Sequence, residues 1–259
     1  MAALSASLPP SLLAEIDGED DWSDEMEHGG DDGLFKEISE AAEDLDTVHV
    51  QFLLDELSPS KRHRIVNTTD PDSFTLLMLA CSDAKGLDVV RILLAAKSDV
   101  NYTANDGSTA LDCCVQDNLR ATVDLLLAQP NIDVNSGRCS TLYFAAQNGH
   151  SENVKKLLAA KARVDRRSFN GVTPLLSAIS NKFPDVVELL LQGKAQPNFP
   201  NSALKGFTPL ILAIDHKNIT IVKLLLKYKA DPEQQVTILT GKGSSKMMRV
   251  EYPVLYAAR

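Results

Sequence analysis

The chain of 259 residues is 44% hydrophobic, 5% aromatic and 24% charged, with a formal net charge of −9. That length supports a sizeable core without metal or disulfide staples; no run of roughly eighteen apolar residues offers a membrane-spanning helix, and the start lacks the basic n-region of a signal peptide. Four cysteines (Cys81, Cys113, Cys114, Cys139) are too few and too bunched for a secreted disulfide scaffold, so the sequence is read as that of a soluble protein of the cytoplasm, the nucleus or both.

Taken in chain order, residues 1–46 carry fifteen acids and one base, Lys36. The stretch from Asp17 to Glu27 buries too little apolar surface to offset its ordering entropy, so residues 1–33 are predicted to form a disordered acidic arm. Trp22, Met26, Leu34 and Phe35, isolated among acids, are either a docking motif or passengers of a solvating tail. Residues 194–259, by contrast, hold ten bases and four acids. The opposite charges predict an intramolecular contact in which the arm masks the basic C-terminal end.

From residue 34 onward the chain repeats itself. Residues 34–67 (Phe35, Ile38, Ala41, Ala42, Leu45, Val48, Phe52, Leu53) read as a degenerate capping unit. Five fuller units follow at 73–101, 107–135, 138–165, 171–198 and 206–233, and a partial one at 250–259. Their opening residues Thr75, Thr109, Ser140, Thr173 and Thr208 are 34, 31, 33 and 35 positions apart. Thr or Ser before an apolar run is an N-cap, and Pro174 and Pro209 stand at the first helical position, where a missing N–H costs nothing. The helix so begun is short and rich in Leu and Ala. A break such as Gly149-His150 or Lys217-Asn218 precedes a second helix with apolar residues at i, i+3 and i+4.

Each unit closes on elements such as Asp99-Val100-Asn101 and Asp133-Val134-Asn135. Turns with Asn-Asp-Gly or Asn-Gly chemistry (Asn105-Asp106-Gly107, Asn170-Gly171) follow. One such unit cannot cover its own apolar face, so the units must stack into a solenoid. Because the last unit is only half present, the sequence is expected to be part of a longer chain.

Spacing, Thr-Pro-Leu, Gly-His and Asp-Val-Asn recurring in register make residues 34–259 resemble the ankyrin-repeat family. The resemblance implies an all-α solenoid of stacked helix pairs with β-hairpin fingers. It also implies protein partners bound through the finger tips and the exposed side of the first helices, the concave surface. By motif position the exposed residues are Phe74, Tyr102, Phe144, Gln147, Asn148, Phe169, Asn181, Phe207, Asp215 and His216. Aromatics set among polar groups suit a binding hot spot, although packing within the stack is an equal reading for each ring.

The chain departs from the family at the histidine that usually closes Thr-Pro-Leu-His. Met78, Asp112, Tyr143, Leu176 and Ile211 stand there instead. The imidazole bond between repeats is therefore missing, and Asp112 needs a donor or solvent. The resemblance further implies Asn101 and Asn135 as candidates for asparaginyl hydroxylation, each with a Leu eight residues upstream (Leu93, Leu127).

No catalytic set, cofactor motif or metal constellation emerges. Gly241 to Lys246 lacks the spacing of a phosphate loop. The cysteines lack paired ligands and read as small core residues. An acidic chain without a groove-reading module gives no reason to expect direct nucleic-acid binding. Three readings follow: a non-enzymatic interaction scaffold, the substrate-recognition or regulatory part of a larger enzyme such as a ubiquitin ligase or kinase, and an inhibitor of a transcription factor resembling the I-kappa-B group.

Overall fold

The computed structural model describes residues 30–137, 140–199, 207–234, 236–240, 247–251 and 253. The arm up to residue 29, its expected contact with the C-terminal end, and most of the partial unit at 250–259 therefore lie outside the described residues. Three helices open the stack: α1 (Gly30–Glu43), α2 (Thr47–Asp55) and α3 (Pro59–Val66). Five helix pairs follow: α4 (Leu76–Ala80) with α5 (Leu87–Ala95), α6 (Ala110–Gln116) with α7 (Arg120–Leu127), α8 (Thr141–Gln147) with α9 (Ser151–Ala159), α10 (Pro174–Ser180) with α11 (Pro184–Gln192), and α12 (Pro209–Asp215) with α13 (Ile219–Lys227). First helices pack on first helices and second on second, which is the stacking that the repeat predicts.

The caps explain where the first helices begin. Hydroxyls of Thr75, Thr109, Thr173 and Thr208 accept from the backbone N–H three residues on, at 3.2–3.3 Å. Behind each cap, Leu77, Leu111, Leu142, Leu175 and Leu210 are buried, as are Leu93, Leu126, Leu157, Leu190 and Leu225 of the second helices. Each such side chain contributes about 1.5–3 kcal/mol of hydrophobic stabilisation. Small residues (Ala80, Cys114, Ala145, Ala178, Ala213), also buried, let neighbouring first helices approach.

Two corrections concern the N-terminal end. Helix α1 starts at Gly30, so residues 30–33 belong to the capping unit and not to the arm. Between α2 and the Val66-Asn67 element there is an extra helix, α3, which packs on α1. Ser58 caps it and Pro59 fits its first turn, a start signal plain in the sequence.

Among the described residues the fingers of the helix-pair units are hairpin turns and not ladders of strands. In three of them one geometry recurs: Asp70, Ala104 and Ser168 donate their N–H to Phe74, Ser108 and Val172, while Ser73, Gly107 and Gly171 donate back to Asp70, Ala104 and Ser168. The residue closing each turn has positive φ, +69° at Ser73, +89° at Gly107 and +71° at Gly171. Three-residue loops of this kind call for glycine there, and Ser73 departs from it. True strands occur in the long insertion, where β1 (Val236–Thr240) pairs antiparallel with β2 (Met247–Glu251). Val250 and Glu251, the first residues of the partial unit expected at 250–259, lie on β2.

A ladder of asparagines ties one repeat to the next. Asn67 accepts from Asp99 N–H at 2.7 Å, Asn101 from Asp133 N–H at 2.8 Å, Asn135 from Arg163 N–H at 2.8 Å and Asn198 from Asp231 N–H at 2.7 Å. The same side chains donate their amide N–H to the carbonyls of Lys97, Asn131, Lys161 and Lys229. Asp165 occupies the remaining rung. It accepts from Gln196 N–H at 3.1 Å but has no amide to donate, and burial pushes its carboxyl upward.

Candidate functional site

The face built from first helices and fingers is the candidate interaction surface. At the ends of the first helices, Gln147, Asn148, Asn181 and Asp215 are exposed and His216 is half-buried. These positions are repeat-equivalent, so the stack brings them into one row. Asn148 donates to the Gln116 carbonyl of the preceding unit at 3.4 Å, and Asn181 to Ser177 of its own helix at 2.9 Å. Phe144, half-buried, meets Tyr143 edge-to-face at 5.7 Å between ring centres. Phe169, at the tip of the fourth finger, is 59% exposed.

The other predicted aromatics are placed differently. Phe74 is half-buried against the core at the base of the first finger, its N–H held by Asp70 at 2.7 Å. Tyr102 lies apart from the row, half-buried in a cleft of about 580 Å³ with His63, Lys97, Gln129 and Pro130. Phe207 is only 8% exposed and belongs to the core, because the residue before the Thr208 cap packs inward. Its assignment to the surface is corrected accordingly.

Sequence reasoning missed Tyr143, Arg167 and Phe199. The Arg167 guanidinium stands 4.5 Å from the centre of the Phe199 ring, a cation–π contact between the fourth finger and the fifth. The Arg-Arg pair before the Phe-Asn-Gly turn was the available signal. Arg166 turns inward instead. Its guanidinium donates to the carbonyls of Asn135, Ser136 and Gly137, clamping the finger that the sequence makes three residues short.

Asp112 resolves its own difficulty. It is buried, yet it accepts from the Thr109 N–H at 3.0 Å, the Thr109 hydroxyl at 2.9 Å and the Thr141 hydroxyl at 2.6 Å. Burial raises its carboxyl, and the Thr141 and Thr109 bonds oppose that. Through Thr141 it links two repeats where the family's histidine would stand. His150 adds a second link, with its Nδ1 2.9 Å from the Val115 carbonyl.

Asn101 and Asn135, the hydroxylation candidates, are rungs of the ladder with both ends of the amide engaged. Cys81 and Cys114 are buried and Cys113 half-buried. Burial pushes the Cys113 thiol up to about 12 and raises that of Cys114 as well, so neither is an activated nucleophile. Among the described residues no cluster of His, Cys, Asp or Glu is arranged to hold a metal, and no helix is long and apolar enough to cross a membrane.

Comparison with known proteins agrees with this geometry. The family model described as ankyrin repeats (3 copies) matches residues 38–138 and 142–236. The ankyrin repeat and KH domain-containing protein mask-1 of Caenorhabditis elegans is 30% identical over 129 residues, 48% of this chain and 5% of the relative. The putative ankyrin repeat protein FPV031 of fowlpox virus is 34% identical over 128 residues, 46% of this chain and 37% of the relative. The chain thus spans only a minor part of these relatives' lengths.

Among solved structures, an ankyrin repeat domain from Acinetobacter baumannii superposes with a TM-score of 0.67 at 26% identity, covering 75% of this chain and 98% of that one. The human ASB11 ankyrin repeat domain gives 0.62 at 24%, covering 77% and 86%.

Proposed function

The chain belongs to the ankyrin-repeat family, and from that premise we propose that it is a non-enzymatic scaffold of the cytoplasm or nucleus, holding a protein partner on the concave surface of its first helices and fingers. Domains of this family are generally protein–protein interaction modules. The observation that carries the reading here is the combination of an exposed aromatic, Phe169, with the half-buried Tyr143–Phe144 pair and a row of exposed polar side chains, Gln147, Asn148 and Asn181. Rigid rings bring contact area at little entropic cost, and short amides adapt their hydrogen bonds around them.

Site-specific photo-cross-linking tests the face directly. A benzophenone amino acid is placed at Gln147, Asn148 or Asn181 on one side and at Arg91, Glu152 or Lys223, all exposed on the second helices, on the other. Adducts from the first set alone are expected. Adducts only from the second set refute the proposal.

A further inference from the structure

The first-helix face is not uniform, and its N-terminal end has a groove of its own. The groove runs between α1, the Thr69–Thr75 turn and α4, and encloses about 700 Å³. Its floor is apolar: Phe35 is buried, Leu79 half-buried, and Pro71 stands at the edge. A shallower extension shares Glu43 and Leu79 and adds Ala42, Ala80 and Asp83.

The rim is acidic. Asp32, Lys36, Ser39 and Glu43 follow one another at helical spacing on α1, so they form one stripe along the groove. Lys36, the base lining it, is paired with Glu40 at 3.7 Å. Asp70 accepts from the Phe74 N–H and Asp83 from that of Lys85, each through one carboxylate oxygen. An apolar floor under a rim of Asp32, Glu40, Glu43, Asp70 and Asp83 favours a cationic occupant that also brings a greasy side chain.

We infer that this groove takes a basic peptide segment of a partner protein, with an apolar side chain seated over Phe35 and Leu79 and flanking Lys or Arg residues against Asp32, Glu43 and Asp83. The inference rests on the protein-binding reading above and adds to it a subsite and the chemistry that the subsite selects. Farther along the stack, Arg167 of the fourth finger lies against the Phe199 ring of the fifth.

The test uses a fluorescein-labelled peptide with a Leu-Trp-Leu centre flanked on both sides by Lys and Arg, and the whole chain. Anisotropy gives the affinity, and amide chemical-shift mapping gives the place. Binding is expected at low salt, with shifts confined to α1, the Thr69–Thr75 turn and α4. The triple variant Asp32→Asn/Glu43→Gln/Asp83→Asn, all exposed positions, weakens it roughly tenfold, and raised salt does the same. A Glu-flanked copy, or one with Ser replacing the apolar centre, binds far more weakly.

Absence of binding, or an affinity that the triple variant leaves unchanged, overturns the inference. Shifts confined to α8, α10 and the fourth finger also overturn it while leaving the concave-face reading intact. Shifts confined to the second helices overturn both.

Discussion

Asp165→Asn is expected to stabilise the protein. Asp165 stands where Asn67, Asn101, Asn135 and Asn198 each give one bond and take one, and it can only accept, from Gln196 N–H. The equivalent amides reach the carbonyls of Lys97, Asn131, Lys161 and Lys229 at 3.5, 2.7, 3.3 and 3.4 Å. An amide at residue 165 gains the matching bond to the next unit, worth about 0.5–1.5 kcal/mol net, and removes a carboxylate that its surroundings disfavour. With a urea m-value of about 2 kcal/mol/M for a domain of this size, a gain near 1 kcal/mol moves the midpoint up by roughly 0.5 M.

The pH dependence gives a second check. Burial raises the Asp165 carboxyl in the folded state. Its contribution to stability is therefore complete below the unfolded value, about pH 4, and is lost as pH rises through the folded value. The advantage of the variant must accordingly be largest at neutral pH and shrink on acidification. Equal or lower stability of Asp165→Asn at pH 7, or a gap that does not change with pH, would refute the ladder as the reason. The converse change, Asn101→Asp, should cost about as much as the first change gains.

Further outcomes follow from the same geometry. Gly149→Ala should cost about 2 kcal/mol in thermal or urea unfolding, since Gly149 has φ +73° and an added Cβ would lie 2.8 Å from the Phe183 ring; an unchanged midpoint would contradict that packing. Lys161→Gly, at an exposed helix end with φ +68°, should stabilise by about 0.5 kcal/mol, the left-handed strain of a Cβ outweighing glycine's unfolded-state entropy. Cys113, its thiol pushed up to about 12, should react with iodoacetamide at pH 8 roughly a thousandfold more slowly in the folded protein than after denaturation, as followed by mass spectrometry. Phe169→Ala should weaken partner binding roughly tenfold or more without moving the unfolding midpoint, because its ring is mostly exposed.

What the sequence disclosed, it disclosed through local chemistry repeated in register. The Thr75, Thr109, Thr173 and Thr208 caps and the Leu pattern behind them mark the helix pairs, because a cap and an apolar stripe act within one turn of the chain. Contacts between units were not legible in that way. Thr141 reaches Asp112 across 29 residues and Asn101 reaches Asp133 across 32, so pairing becomes visible only once the stack exists.

Phe207 shows the same limit, since position in the motif says where a residue sits but not which way the preceding loop turns its ring. Helix α3 is a different case: Ser58-Pro59 announced it, but reading 34–67 as one unit left no place for a third helix. The lysines at left-handed helix ends (Lys97, Lys161, Lys182, Lys194, Lys217, Lys229) went unnoticed because glycine is the residue expected there.

The most direct trial of the central claim is hydrogen–deuterium exchange on the chain alone and with the partner recovered by cross-linking. The account predicts slowed exchange in α6, α8, α10 and the fourth finger around Phe169, with α7, α9 and α11 unchanged. Slowing confined to α7, α9 and α11, with the finger untouched, would contradict it.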